Sequence, residues 1–178
     1  MKRAQLEHVL RATSRIVGEP DVLVLGSQSI LGSVPEDRLP DAAVASIEVD
    51  IAFLDDPEEA KADLVDAAIG ELSRFHETHG YYAQGIAVDV AVLPSGWQDR
   101  LVVLESARTA PGRGLCLEPH DCVLAKLVAG RPKDLAFAEA LIAEGLVAVS
   151  ALAARSKALT GVAPATLQRI RSFLERVS

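Results

Sequence analysis

The chain has 178 residues, 49% of them apolar and 24% charged. That balance suits one globular domain, with or without a helical extension, and excludes intrinsic disorder, collagen-like repeats and a disulfide scaffold. Only 4% of the residues are aromatic, so the core has to be built from Ala, Val, Leu and Ile. No stretch approaches the roughly 20 uninterrupted apolar residues of a membrane span, and a net charge of −7 argues against a general nucleic-acid coat.

The elements follow in chain order. Leu6, Val9, Leu10, Thr13, Ile16 and Val17 recur at helical spacing until Gly18-Glu19-Pro20 stops the helix. Val22-Leu23-Val24-Leu25 reads as a short buried strand closed by Gly26-Ser27, with a helix opening at Gln28–Leu31. Residues 33–43, with Pro35, Pro40 and many charges, read as an exposed loop. Residues 46–54 alternate with period two and predict a strand, Ile47, Val49 and Ile51 on one face and Glu48 and Asp50 on the other. Asp55-Asp56-Pro57-Glu58-Glu59 opens a helix expected to run from Ala60 to about Phe75, its acids at the positive end of the dipole. Residues 82–93 predict a further strand with Asp89 embedded in it, and residues 101–104 another short one. From Glu118 the pattern is helical, punctuated by Gly130-Arg131-Pro132, Gly145 and Gly161. The expected fold is α/β (α+β): an α/β core over 1–115 and a helical C-terminal part over 116–178 packed on it.

Charge divides along the same line. Residues 1–99 carry 7 basic and 18 acidic side chains, residues 100–178 carry 11 and 7, a division that suits an enzyme placing cations in one part and gripping a polyanion with the other, or simply two differently solvated surfaces. Cys116 and Cys122 have the spacing of neither a zinc knuckle nor a redox pair, and Met1–His8 lack the apolar core of a leader. These features read as a reduced, cytoplasmic protein whose thiols fill the core.

The chemistry sits in acids on strands. Glu48 and Asp50, at i and i+2, leave one face of a strand about 7 Å apart; Asp89 on a neighbouring strand would make a third. Carboxylates gathered in this way repel one another unless a cation lies between them, and Mg²⁺ is the usual partner. A pair of such ions stabilises the attacking and leaving oxygens of a phosphoryl-type displacement. On Glu48 and Asp50 alone, a solvated sheet face is the commoner explanation. Gly26-Ser27 at the end of a buried strand lets the backbone approach a ligand and offers donors to phosphate oxygens.

Leu25-Gly26-Ser27, Ile47-Glu48-Val49-Asp50-Ile51 and Val88-Asp89-Val90 together resemble the nucleotidyltransferase superfamily of the DNA polymerase β type. The segment Leu117–Asp134 resembles its AbiEii-like branch, the nucleotidyltransferases of abortive-infection and type IV toxin–antitoxin systems, so that the likeness covers roughly residues 20–142. The resemblance implies a small mixed nucleotidyltransferase sheet flanked by helices, and Mg²⁺-dependent transfer of an NMP from an NTP to an acceptor hydroxyl. It implies Gly26 and Ser27 at the triphosphate, Glu48, Asp50 and Asp89 as catalytic metal ligands in a two-ion Mg²⁺ site, and Lys126 neutralising the phosphates. Arg131 and Lys133 assist, and Asp134 orients Lys126 or Arg131. It further implies RNA, including a tRNA 3′ end, as acceptor and a cognate antitoxin as partner. Glu48 departs from the pattern by one methylene where many relatives carry Asp, and the interval from Gly26 to Glu48 is long. A catalytically degenerate binding module and an antitoxin-like partner protein are the alternatives.

Among the other candidates, His76 and His79 read as helix C-terminal polar groups, Tyr81, Tyr82 and Trp97 as base-stacking aromatics or core lids, and Arg155, Lys157, Arg169, Arg171 and Arg176 as an RNA-facing surface or a solvated helix face.

Overall fold

The apolar run after Pro20 forms β1 (Asp21–Val24), whose last three residues are buried. In the computed structural model, which describes residues 1–178, β1 is the middle strand of a five-stranded mixed sheet. The others are β2 (Glu48–Ala52), β3 (Tyr82–Gly85), β4 (Val102–Leu104) and β5 (Arg113–Cys116), in the order β3-β2-β1-β5-β4. β1 runs antiparallel to β2 and parallel to β5, whereas β2 and β3 are parallel. A parallel pair needs a crossover, and here α3 (Ala60–Ile69) and α4 (Arg74–His79) supply it. α1 (Arg3–Val17) packs beside α3 and against the sheet.

The second part of the chain holds α5 (Pro119–Ala129), α6 (Pro132–Ala143), α7 (Val149–Ser156) and α8 (Pro164–Arg176). One continuous buried cluster joins Val22–Leu25, Val49 and Ile51–Phe53 to Cys122–Leu124 and Leu127 of α5 and to Phe137 and Leu141 of α6. As the composition requires, this core is almost wholly aliphatic. Both cysteines are free and fully buried within it, and burial pushes the Cys116 thiol up to about 12. No helix is long and apolar enough to cross a membrane.

Three elements differ from the sequence expectation. The helix expected over 60–75 stops at Ile69, the chain turns extended at Gly70, and α4 begins anew behind Ser73, whose hydroxyl accepts the His76 N–H. The loop of 33–43 contains two short turns of helix, one of them α2 (Asp41–Val44). The strand expected over 82–93 ends at Gly85. Its ladder closes with the Ile86 N–H donating to the Ile51 carbonyl, because β2 itself ends at Ala52 and leaves residues 87–91 without a partner. They form a 3₁₀ turn instead, Val88–Val90.

The helical part is fastened by a buried charge network. Asp121 on α5 is fully buried and accepts from Arg100 Nε at 2.7 Å and from Arg155 Nη1 of α7 at 2.9 Å. Arg155 also donates to Glu118, the N-cap of α5. The Ala148 N–H donates to His120 Nε2 at 3.0 Å, which leaves Nδ1 as the donor to Glu118 at 2.7 Å. Burial alone would raise the Glu118 carboxyl, but the bonds from His120 and Arg155 outweigh it and bring it down to about 2. Removing one partner of such a network strands the others. Asp121→Asn is therefore expected to lower the unfolding free energy by about 3 kcal/mol or more in urea denaturation. Because the folded-state value of Glu118 lies below its ordinary 4.5, its contribution is complete above that pH and is lost as the pH falls toward about 2. Glu118→Gln is expected to flatten the stability profile across that acid window.

Candidate functional site

The polar end of the sheet opens into a cleft of about 560 Å³. Its floor is where β1 hands over to Gly26-Ser27 beside β2. The Leu25 N–H donates to the Asp50 carbonyl at 3.1 Å, so the two backbones remain paired to the mouth of the cleft. Gly26 has ordinary negative φ, so its role is space, not backbone freedom. A Cβ added there would lie 1.6 Å from Asp50 Oδ2 and 2.6 Å from its Cγ. The Asp50 carboxylate thus rests directly on the Gly26 backbone.

Glu48 and Asp50 share a face of β2, as the alternation requires, and both line the cleft. The Tyr82 hydroxyl donates to Glu48 Oε2 at 3.0 Å. Burial, and then this bond, push the phenol up to about 12, which keeps it a donor. Burial also raises the Asp50 carboxyl, to about 6; Lys126 pulls it down and Glu48 pushes it further up. Burial is the largest of these causes, so the Asp50 charge is costly where it stands and a cation placed against it would relieve that cost.

Helix α5 supplies the opposing charge. Its Cys122, Val123, Leu124 and Leu127 face the core, which turns Ala125, Lys126 and Ala129 toward the cleft. The Gly130 φ of +67° ends α5, and Arg131-Pro132 opens α6. Asp134, 2% exposed, accepts from Arg131 Nε at 2.7 Å and Nη2 at 3.3 Å, and lies 3.8 Å from Lys126 Nζ. Burial opposes the Asp134 charge, but the Arg131 bond and Lys126 outweigh it and hold the carboxyl below its usual range. One buried carboxylate therefore orients both cations. Lys133 also lines the cleft and is exposed at its rim.

The structure brings together Gly26, Ser27, Glu48, Asp50, Lys126, Arg131, Lys133 and Asp134. It does not bring in Asp89. That residue stands exposed in the Val88–Val90 turn at the edge of the cleft: Val90 and Ala91 line the cleft, but Asp89 itself does not. The expectation that Asp89 lies on a strand is therefore corrected: the ladder that would have carried it runs out first. No group of three or more His, Cys, Asp or Glu side chains is arranged to hold a metal ion.

Other candidates have structural partners. Tyr81 is buried and shares a 2.7 Å hydrogen bond with His8 Nδ1, and Tyr82 serves Glu48. Arg155 belongs to the Asp121 network. Arg169 Nη2 donates to the Leu127 and Val128 carbonyls at the end of α5, and Arg176 pairs with Glu139. These three arginines are engaged within the fold, leaving Lys157 and Arg171 of the proposed basic surface. Two cleft features escaped the sequence reading: the Tyr82–Glu48 bond and Gln84, which lines the cleft beside Asp50. Only the strand register reveals them.

No family model matches this chain, and comparisons with curated proteins and with solved structures return no match.

Because the Asp50 carboxyl has a folded-state value near 6, above its ordinary 3.8, the native state holds this proton more tightly than the unfolded chain. Stability from this group is full below about pH 4 and declines as the pH rises through about 6. In metal-free buffer at pH 8, Asp50→Asn is expected to be more stable than wild type by on the order of 2 kcal/mol, the difference shrinking toward pH 4. Urea denaturation at the two pH values checks it.

Proposed function

We propose that the cleft binds a nucleoside triphosphate together with Mg²⁺ and transfers the nucleoside monophosphate to an acceptor hydroxyl on RNA. The observation that supports this reading is two carboxylates, Glu48 and Asp50, facing two oriented cations, Lys126 and Arg131, across a glycine-floored cleft. The donor set suits a hard divalent ion: both ligands are carboxylate oxygens, and a cation would relieve the charge that burial makes costly on Asp50. Bound there, Mg²⁺ supplies charge neutralisation at the phosphoryl oxygens.

The chain's own residues divide the remaining work. Glu48, steadied by Tyr82, and Asp50, resting on Gly26, hold the cation end. Lys126 and Arg131, fixed through Asp134, take the β- and γ-phosphate charge. Ser27 offers its hydroxyl at the cleft floor. The acceptor oxygen bonds to the α-phosphorus, the α–β bridging bond breaks, pyrophosphate leaves, and the acceptor proton passes to water. Most of the rate enhancement in such a site is positioning and electrostatic stabilisation. Exposed Lys133 at the rim suits a polyanionic acceptor. The biological role we attach to this activity is that of a growth-inhibiting toxin held in check by a cognate antitoxin.

A second reading is a nucleotide-binding module without turnover, and the place of Asp89, on an exposed turn and not on the strand beside Glu48 and Asp50, favours it. One assay separates the two: incubation of the full chain with each α-labelled NTP, Mg²⁺ and total RNA. Transfer predicts Mg²⁺-dependent labelling of RNA that falls by about 10²-fold or more in Asp50→Asn and in Lys126→Ala. The binding module predicts Mg²⁺-dependent retention of NTP with no labelled RNA. Labelling that persists in Asp50→Asn, or that needs no divalent ion, overturns the proposal.

A further inference from the structure

Resting on the reading of the cleft as a cation and nucleotide site, we propose that Gln84 limits the protein to a single divalent cation. β2 and β3 are parallel, with Glu48 opposite Tyr82 and Asp50 opposite Gln84. Residues paired across neighbouring strands, about 4.8 Å apart, leave the same face of the sheet. The 3.0 Å bond from Tyr82 to Glu48 shows this for the first pair, and Gln84 lies two residues further along, in the lining of the same cleft. It therefore occupies the position from which a third carboxylate would share an ion with Asp50, and it presents an amide there.

The difference is one of charge. Two carboxylates balance one divalent ion. A second ion would need further anionic oxygen, and an amide oxygen is neutral. It would also stand near Lys126 and Arg131, whose charges reach Asp50. The remaining acids nearby are committed or absent. Asp134 is held by Arg131 and Lys126, Asp66 accepts the Gly85 N–H at 2.7 Å, and Asp89 is exposed on a turn at the cleft edge without lining it. Nothing else on the protein takes the place that Gln84 fills. Any second cation has to arrive on the triphosphate.

The test counts cations on the protein alone, because a nucleotide brings one of its own. Free Mn²⁺ is followed by electron paramagnetic resonance during titration into the full chain without nucleotide. One Mn²⁺ per chain is expected for wild type and for Gln84→Ala, and two for Gln84→Glu, which keeps the length of the side chain and adds the missing charge. Thermal unfolding supplies a second readout. Gln84→Glu is expected to melt below wild type in EDTA, where three carboxylates repel, and to gain more than wild type on adding Mn²⁺. Two ions on wild type, or one on a folded Gln84→Glu, overturns the role of Gln84 and leaves the cleft reading standing. No ion on wild type removes the cleft reading itself, and this inference with it.

Discussion

The contact on which the cleft depends is the seating of the Asp50 carboxylate on the Gly26 backbone, so close that a single methyl group at residue 26 would collide with it. The antiparallel pairing of β1 and β2 brings the two together, and the absence of a side chain at residue 26 leaves the room that the carboxylate fills. That seating takes one side of it out of water and leaves the other facing the cleft. Its charge then becomes costly unless a cation is near, and the resident cations, Lys126 and Arg131, arrive from a different part of the chain. An acid buried in this way costs stability in the free protein. Proteins commonly accept such a cost where a ligand will later relieve it.

The position of Lys126 depends on anchors at both ends of α5. At the N-terminal end, Glu118 and Asp121 gather Arg100, His120 and Arg155. At the C-terminal end, Arg169 takes two of the last carbonyls, and the next helix opens with Arg131 locked to Asp134. The helix therefore has little freedom to slide or rotate, and its cleft-facing stripe is fixed opposite the carboxylates of β2. Two charge systems of similar composition thus divide their tasks. The one around Asp121 is closed and saturated. The one around Glu48 and Asp50 is open to the cleft.

Much of this was legible in the sequence. Period-two alternation placed Glu48 and Asp50 on one face, the turn after the first strand located Gly26, and the resemblance of Leu117–Asp134 singled out Lys126 and Arg131. What misled was composition without a partner. Ile86–Val92 is as rich in β-branched residues as any strand, but strand preference is realised only against a neighbour, and β2 ends at Ala52 before it can supply one. β5 was invisible for the opposite reason: Arg-Gly-Leu-Cys has little strand character, and the slot between β1 and β4 imposes it. The arginines of α7 and α8 resembled a binding surface because the groups they bond lie 34 to 42 residues away in the chain. Gln84 carries no sequence signal at all; its meaning comes from the register that sets it beside Asp50.

The central claim, that Glu48 and Asp50 form the cation end of a nucleotide cleft, is tested most directly by calorimetric titration of Mg²⁺·ATP into the full chain at pH 6, in two buffers of different ionisation enthalpy. Burial raises the Asp50 carboxyl toward that pH, so binding of the cation is expected to release protons. The release should vanish in Asp50→Asn along with most of the affinity. Binding of equal strength in the variant, or binding without proton release in wild type, would contradict the account.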